Sequence, residues 1–440
     1  VALDPKIRAL LELPGMQLGA PPPEVTPAMM REGSKQLIPP ATPPAVHAVR
    51  DVAVNGPAGS LNVRLYYPRA NAPLPLVVFY HGGGFVLCDL DSHDVMCRTL
   101  ANESGCAVAA VDYRLAPETK FPGPLEDCYA ALVQLIARAQ EFGLDRERVA
   151  VAGDSAGANL ATAVCMLARD RKGPAIRYQA LLYPCLDAAC DTPSMHECGS
   201  GYMLSRELMQ WFYQAYMTAP QDAANPLLSP LRAVNLSNLP PASISTAEFD
   251  PLRDEGERYA DRLRDAGVNV VGRRYAGMIH GFSQMPLATE TANNSVADIG
   301  ADLRSAFAAS LPDRAAIARQ FYAAALAGDW ATVDSLITDD FTIIEAAALP
   351  FGGTYRGRQA LQQLFAKVGS LLSMRGFDLR GIVSHGEMVI SIIELTVDSQ
   401  GREAKLEIME QMEFRGAQIC VLRPFYFDAA AVHAAALRSA

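Results

Sequence analysis

Apolar residues change their rhythm along this chain, and each rhythm predicts a different element. From Ala48 to Tyr67 they alternate, with Val52 and Val54 and then Leu61, Val63 and Leu65 at every second position, as in paired antiparallel strands. Leu74 to Tyr80 is a continuous apolar run, which suits a strand buried on both faces. Similar runs near 107–112, 148–152 and 178–183 are separated by helix-like stretches. Strands and helices in strict alternation predict an α/β fold with a parallel sheet covered on both faces. Residues 185 to 235 interrupt the alternation. Within them Ser205 is placed to cap a helix reaching about Met217, with Leu208, Trp211, Phe212, Ala215 and Tyr216 on one face. The alternation resumes with the apolar stretch Ala242 to Ala247 and a helix from Asp254 to about Ala266, ended by Gly267. A strand through Val268, Val270, Val271 and Tyr275 and a last helix over 294–309 complete it.

The two ends of the chain read differently. Residues 1 to about 40 combine a short helical pattern (Ile7, Leu10, Leu11) with proline-rich connections. Leu311-Pro312-Asp313 marks a boundary. Beyond it Asp313 is placed to cap a helix, and Trp330 to Leu336 reads as a second one. A strand over Phe341–Glu345, a turn over Gly353–Arg358 and a helix over Gln359–Val368 follow. Strands near 377–384, 387–397, 404–414 and 417–424 come last, with hairpin turns at Gly401 and Gly416. The pattern predicts two domains, 1–310 and 312–440, the second of α+β type.

Composition narrows the function classes. The 440 residues are 50% hydrophobic and 20% charged, enough for large cores. A net charge of −10 argues against nucleic acid and anionic membranes as partners, which call for a basic surface. No apolar run reaches the roughly 18 residues of a membrane-spanning helix. The N-terminus lacks the charged-then-apolar layout of a signal peptide. Nine cysteines, an odd number without a C-x-x-C pair, predict free thiols in a reducing cytoplasm and neither a catalytic cysteine nor a zinc site.

Candidate chemistry sits at two turns. Gly153-Asp154-Ser155-Ala156-Gly157 follows an apolar run and opens a helix-like stretch. A serine between glycines at a strand-to-helix turn is exposed at the positive end of the helix, as a nucleophile requires. About 70 residues earlier, His81-Gly82-Gly83-Gly84-Phe85 follows the strand 74–80. Successive glycines let backbone N–H groups point at a developing oxyanion. A serine also needs a base and an orienting acid. Of seven histidines (47, 81, 93, 196, 280, 385 and 433), His280 in Met278-Ile279-His280-Gly281-Phe282 has the required place after the serine. The others belong to the glycine segment, to the C-terminal domain, or lack the order or context. Asp250, in Phe249-Asp250-Pro251-Leu252-Arg253-Asp254, is the candidate acid, with Glu248 and Asp254 as rivals.

Five motifs in order, His81–Phe85, Asp112–Glu118, Gly153–Gly157, Asp250–Gly256 and His280–Phe282, resemble the hormone-sensitive lipase family of bacterial esterases, which have the α/β-hydrolase fold. The resemblance covers about residues 1–310. It implies a mostly parallel eight-stranded sheet with a helical cap, drawn here from about 1–40 and 185–235. It further implies Ser155 as nucleophile, His280 as base, Asp250 as orienting acid, and an oxyanion hole from the N–H groups of Gly83, Gly84 and Ala156. The substrate pocket is expected at Phe85, Asp154, Met203, Trp211 and Phe212, with Met209 and Met217 nearby; ordinary core packing is the competing reading of the aromatic face. Residues 312–440 resemble the nuclear-transport-factor and SnoaL-like superfamily, through Gly353–Gly357 and Arg423–Asp428. That resemblance implies a cone-shaped curved sheet whose interior would receive Glu345, His385, Glu410 and Tyr426. It suggests dimerisation, or shaping of the hydrolase site, in preference to separate catalysis.

Together these imply a cytoplasmic serine carboxylesterase acting on short to medium acyl esters through an acyl-serine. It would have no metal or cofactor, and would form a homodimer, in one reading through the C-terminal domain. Two alternatives remain: a hydrolase of a bulky natural-product ester assisted by the C-terminal domain, and a non-catalytic ligand-binding protein.

Overall fold

The alternating stretch 48–67 closes on itself. In the computed structural model, which describes residues 2–37, 41–70, 73–309, 312–385, 387–399 and 402–436, β1 (Ala48–Gly56) pairs antiparallel with β2 (Gly59–Tyr67). The continuous run forms β3 (Leu74–Tyr80), every residue of which is buried. Its side chains divide by pleat: Leu76, Val78 and Tyr80 enter one core, and Val77 and Phe79 the other. This is why the run shows no alternation, for a parallel strand between two helical layers has no wet face. The remaining strands are β4 (Ala107–Val111), β5 (Leu144–Asp154), β6 (Tyr178–Leu182), β7 (Ala242–Phe249) and β8 (Val270–Ile279).

The eight strands lie in the order β1-β2-β4-β3-β5-β6-β7-β8, parallel from β4 to β8 and antiparallel at the first two pairings. The chain passes from β3 outward to β4 and then returns to the other side as β5. The carboxyl ends of β3 and β5 are therefore neighbours, with Tyr80 opposite Gly153. A crevice at such a switch point is where open α/β sheets bind ligands. Both glycine motifs are delivered to it by strand order alone.

Two interruptions roof this end of the sheet. Residues 185–235 supply the helices Pro193–Glu197 and Arg206–Tyr216, and Ser205 Oγ caps the second by accepting the Leu208 N–H at 3.1 Å. The N-terminal arm supplies Pro5–Leu11 and Pro27–Leu37; the second helix is absent from the sequence expectation. The arm is tied to the 185–235 insertion by a bridge between Leu18 and Leu204, and the Leu18 N–H donates to the Met203 carbonyl at 2.9 Å.

The contacts divide the chain into two compact units, Val1–Ser310 and Leu311–Ala440. The second has a six-stranded sheet in the order β10-β9-β14-β13-β12-β11, formed by β9 (Ile337–Glu345), β10 (Gly353–Arg356), β11 (Ser373–His385), β12 (Met388–Ser399), β13 (Arg402–Arg415) and β14 (Gln418–Tyr426). All its pairings are antiparallel except β14 with β9. One expectation is corrected: 353–356 is a short strand on β9, because Gly353 to Arg356 pair in register with Glu345 to Thr342. Gly416 does sit in the turn between β13 and β14, at φ +64°. The predicted turn at Gly401 and the side chain of His385 lie outside the described residues.

Candidate active site

The turn at Ser155 is built by two absent side chains. β5 ends at Asp154 and the helix Ala156–Asp170 begins one residue after Ser155. Ser155 occupies φ +52°, ψ −116°, a costly conformation for a residue with a Cβ. A Cβ on Gly157 would fall on the Tyr80 carbonyl, and one on Gly153 on the backbone of Gly157. The Ser155 N–H is fixed to the Leu182 carbonyl at 2.8 Å.

His280 stands at the end of β8, and Asp250 follows β7. His280 Nε2 lies 3.0 Å from Ser155 Oγ, and His280 Nδ1 lies 2.8 Å from Asp250 Oδ2. Asp250 is wholly buried, and its second oxygen accepts the Leu252 N–H at 2.8 Å. The Tyr183 ring meets the imidazole edge-on at 4.9 Å. The rival acids have other partners: Glu248 accepts the Gly277 N–H, and Asp254 accepts from Ser194 and Arg253.

The glycine segment turns at the end of β3, with Gly83 at φ +105° and Gly84 at φ +61°. Among the described residues, the backbone N–H groups of Gly83, Gly84 and Ala156 have no hydrogen-bond partner. His81 anchors the segment. Its ring stacks on Tyr113 at 4.3 Å, and the Tyr113 hydroxyl donates to its carbonyl at 2.7 Å. Burial pushes its imidazole down to about 4, so it is neutral at pH 7.

Asp154 connects these parts. Its Oδ1 accepts the Gly82 N–H at 2.8 Å and lies 3.0 Å from His93 Nε2, and its Oδ2 accepts from Gln284 at 3.2 Å. Burial acts to raise its pKa, but His93, Gln284 and the Gly82 N–H outweigh that and hold the carboxyl below its ordinary value. Glu255 is the opposite case. It is fully buried, and burial pushes it up to about 8, although it accepts the N–H groups of Leu186 and Asp187.

A cavity of about 800 Å³ opens over Ser155. Of the expected pocket residues, Asp154, Met203 and Phe212 line it, as does Met209. Phe85, Trp211 and Met217 do not, which corrects the expectation. The positive φ of Phe85 turns its ring into the core, where it stacks on Tyr216 at 4.0 Å. Trp211 meets the Phe212 ring edge-on at 5.5 Å and packs against the core. Met217 packs against the core beyond the helix end. The arm contributes Met29, Met30 and Ser34 to the wall instead. Arg31 holds it there through the carbonyls of Val86 (2.7 Å) and Ala116 (2.9 Å) and a two-pronged pair with Glu118.

Sequence reasoning missed His93, Gln284, Glu255 and Arg31. The first two are 61 and 130 residues from the carboxylate they share, and no local pattern announces such a pairing. His93 also precedes the serine, out of the chain order of a base.

In the second unit Glu345, Glu410 and Tyr426 gather at the sheet. Glu410 accepts the Tyr322 hydroxyl at 2.8 Å, and burial pushes it up to about 7. Burial, and then the charge of Glu410, push Glu345 up to about 8. Among the described residues, no group of three His, Cys, Asp or Glu side chains is placed to hold a metal ion.

Comparison with known proteins gives two matches to family descriptions: an alpha/beta hydrolase fold over residues 77–284 and a SnoaL-like domain over 318–422. The carboxylic ester hydrolase LipN of Mycobacterium tuberculosis is 47% identical over 246 residues, which are 54% of this chain and 65% of that protein. An ethyl acetate hydrolase of Pseudomonas putida is 42% identical over 241 residues, 54% of this chain and 76% of that one. Among solved structures, the hyperthermophilic esterase of Pyrobaculum calidifontis is 41% identical and superposes with a TM-score of 0.65, over 69% of this chain and 99% of its own.

Proposed function

The chain belongs to the α/β-hydrolase fold family, among its carboxylic ester hydrolases, with a SnoaL-like domain following; from that premise we propose that Ser155, His280 and Asp250 hydrolyse esters through an acyl-serine. The observation that carries this is the unbroken relay from Asp250 through His280 to Ser155, at 2.8 and 3.0 Å. Ser155 Oγ attacks the ester carbonyl as His280 Nε2 takes its proton. The carbonyl oxygen, now negative, meets the free N–H groups of Gly83, Gly84 and Ala156, donors that are worth about 3 kcal/mol each in comparable sites. Collapse expels the alcohol, which receives the proton from His280. Water then repeats the sequence against the acyl-serine. Asp250 fixes the imidazole tautomer and stabilises the imidazolium.

The wall of methionines and other apolar residues favours uncharged acyl groups, and about 800 Å³ admits esters well beyond ethyl acetate. We place the protein in the cytoplasm. All nine cysteines are unpaired and seven of them buried, which supports a reducing compartment. No described helix is long and apolar enough to cross a membrane. A homodimer, through the second unit, is the proposed assembly.

The test is Ser155→Ala, measured with p-nitrophenyl butyrate on the full chain. A loss of at least about 10³-fold in kcat with the circular dichroism spectrum retained is expected. Near-normal turnover by that variant would overturn the reading.

A further inference from the structure

The molecule holds a second buried histidine–carboxylate pair beside the proposed relay. His93 and Asp154 are 1% and 3% exposed, and among the described residues no hydrogen bond joins them to Asp250 or His280. We propose that this pair is a clamp that holds the His81–Gly84 loop against the nucleophile turn, which makes His93 a positioning residue for oxyanion stabilisation. The proposal rests on the ester-hydrolase reading above.

The argument is one of connection. Asp154 is bonded directly to Ser155, and Gly82 directly to Gly83. The Gly82 N–H is held on Asp154 Oδ1 at 2.8 Å, so one carboxylate oxygen sets the distance between the nucleophile and the oxyanion donors. The fit leaves no slack, because a Cβ on Gly82 would run into the same carboxylate. An isolated buried carboxylate would be costly and free to turn. His93 Nε2 meets it at 3.0 Å and fixes its plane. The imidazole is itself fixed, with Ser92 Oγ 3.0 Å from its Nδ1 and the rings of Phe79 and His81 at 5.9 and 5.5 Å. The third partner, Gln284, lies four residues after His280 and donates its amide N–H to Asp154 Oδ2 at 3.2 Å. The three segments that carry nucleophile, base and oxyanion donors thus converge on one buried carboxylate.

Donors aimed at a developing charge act in the transition state far more than in the bound substrate. A loosened clamp should therefore lower kcat and leave KM nearly alone. The experiment compares His93→Leu and His93→Gln with the wild type on p-nitrophenyl butyrate. Rates are counted per active site by titration with a p-nitrophenyl phosphonate that labels Ser155. His93→Leu is expected to lower kcat about 10- to 100-fold with KM within about threefold. His93→Gln keeps an N–H donor toward Asp154 and should recover most of the loss. Affinity for a trifluoromethyl ketone should fall in step with kcat/KM. Should His93→Leu fail to fold, Gln284→Ala removes another donor to the same carboxylate and should cost about fivefold in kcat. The proposal is overturned if His93→Leu, or Gln284→Ala where His93→Leu does not fold, keeps kcat per titrated site within about twofold, or if KM rises with kcat unchanged. Because the phosphonate counts reactive Ser155 independently, such a result would leave the esterase reading standing.

Discussion

Asp250 in the first unit, wholly buried just after β7, and Glu410 in the second, half-buried on the interior strand β13, are carboxyl groups with opposite company. Asp250 faces an imidazole at 2.8 Å and a backbone N–H at the same distance. Glu410 faces a tyrosine hydroxyl, with the carboxyl of Glu345 as its electrostatic neighbour. Burial without a cation pushes Glu410 up to about 7 and Glu345, under the added influence of Glu410, to about 8. The same functional group meets an imidazole in one place and holds its proton to higher pH in the other.

The strongest way to break this comparison is to remove the charge of Asp250 while keeping its shape. Asp250→Asn retains the volume but offers His280 Nδ1 an amide, which favours the wrong tautomer. A loss of about 10⁴-fold in kcat on p-nitrophenyl butyrate is expected at pH 7, with the fold intact by circular dichroism. A loss below tenfold would mean that the carboxylate is not the orienting group and that the contrast with Glu410 is empty.

The second test acts on the other side of the comparison. The folded-state pKa values of Glu410 and Glu345 are raised above the ordinary 4.5. From about pH 4.5 upward an unfolded chain releases protons that the folded unit retains, so stability falls with rising pH until about 7 to 8. Glu410→Gln should flatten that slope and raise the melting temperature at pH 8.5 by on the order of 5 °C. The chain has two tryptophans, one in each unit. In a Trp211→Phe background, Trp330 fluorescence therefore reports the second unit alone. A melting temperature that rises from pH 5.5 to 8.5 in the parent protein would contradict the retained protons.

The contrast between the units also marks what the sequence could reveal. In the first, Leu74–Tyr80 and Trp330–Leu336 in the second, apolar rhythm located the elements to the residue. The Gly153–Gly157 turn, the glycine segment and His280 were readable because each demands a local pattern: two glycines that cannot carry a Cβ, or a histidine at the end of a strand. Relations across the chain were not. Periodicity placed Trp211 and Phe212 on one helix face but carried no information on which of them meets the cavity. The arm helix Pro27–Leu37 went unseen because the Arg31 ties that hold it reach carbonyls and a carboxylate 55 to 87 residues away. His93 was invisible for the same reason, since its meaning lies in a carboxylate 61 residues away. The Gly353–Arg356 strand was hidden because an edge strand of four residues looks like a turn until its partner is known.

The smallest effect is expected from deleting the second unit. The residues that line the cavity run from Met16 to Val296, and the relay from Ser155 to His280, all before the boundary at Ser310. The first unit has two cores of its own, whose described residues run no further than Phe307. A chain ending at Ser310 should therefore keep kcat/KM for p-nitrophenyl acetate within about threefold, since a grafted domain contributes to chemistry only through groups it places at the site. Solution mass measured on the same two proteins reads the assembly, and loss of a dimer on deletion would assign dimerisation to the second unit. A panel from acetate to decanoate sharpens the result. If only the longer esters lose rate, by tenfold or about that, the second unit shapes the substrate and the bulky-ester alternative gains ground. If acetate suffers equally in a folded protein, the division into a self-sufficient catalytic unit and a separate second one is wrong.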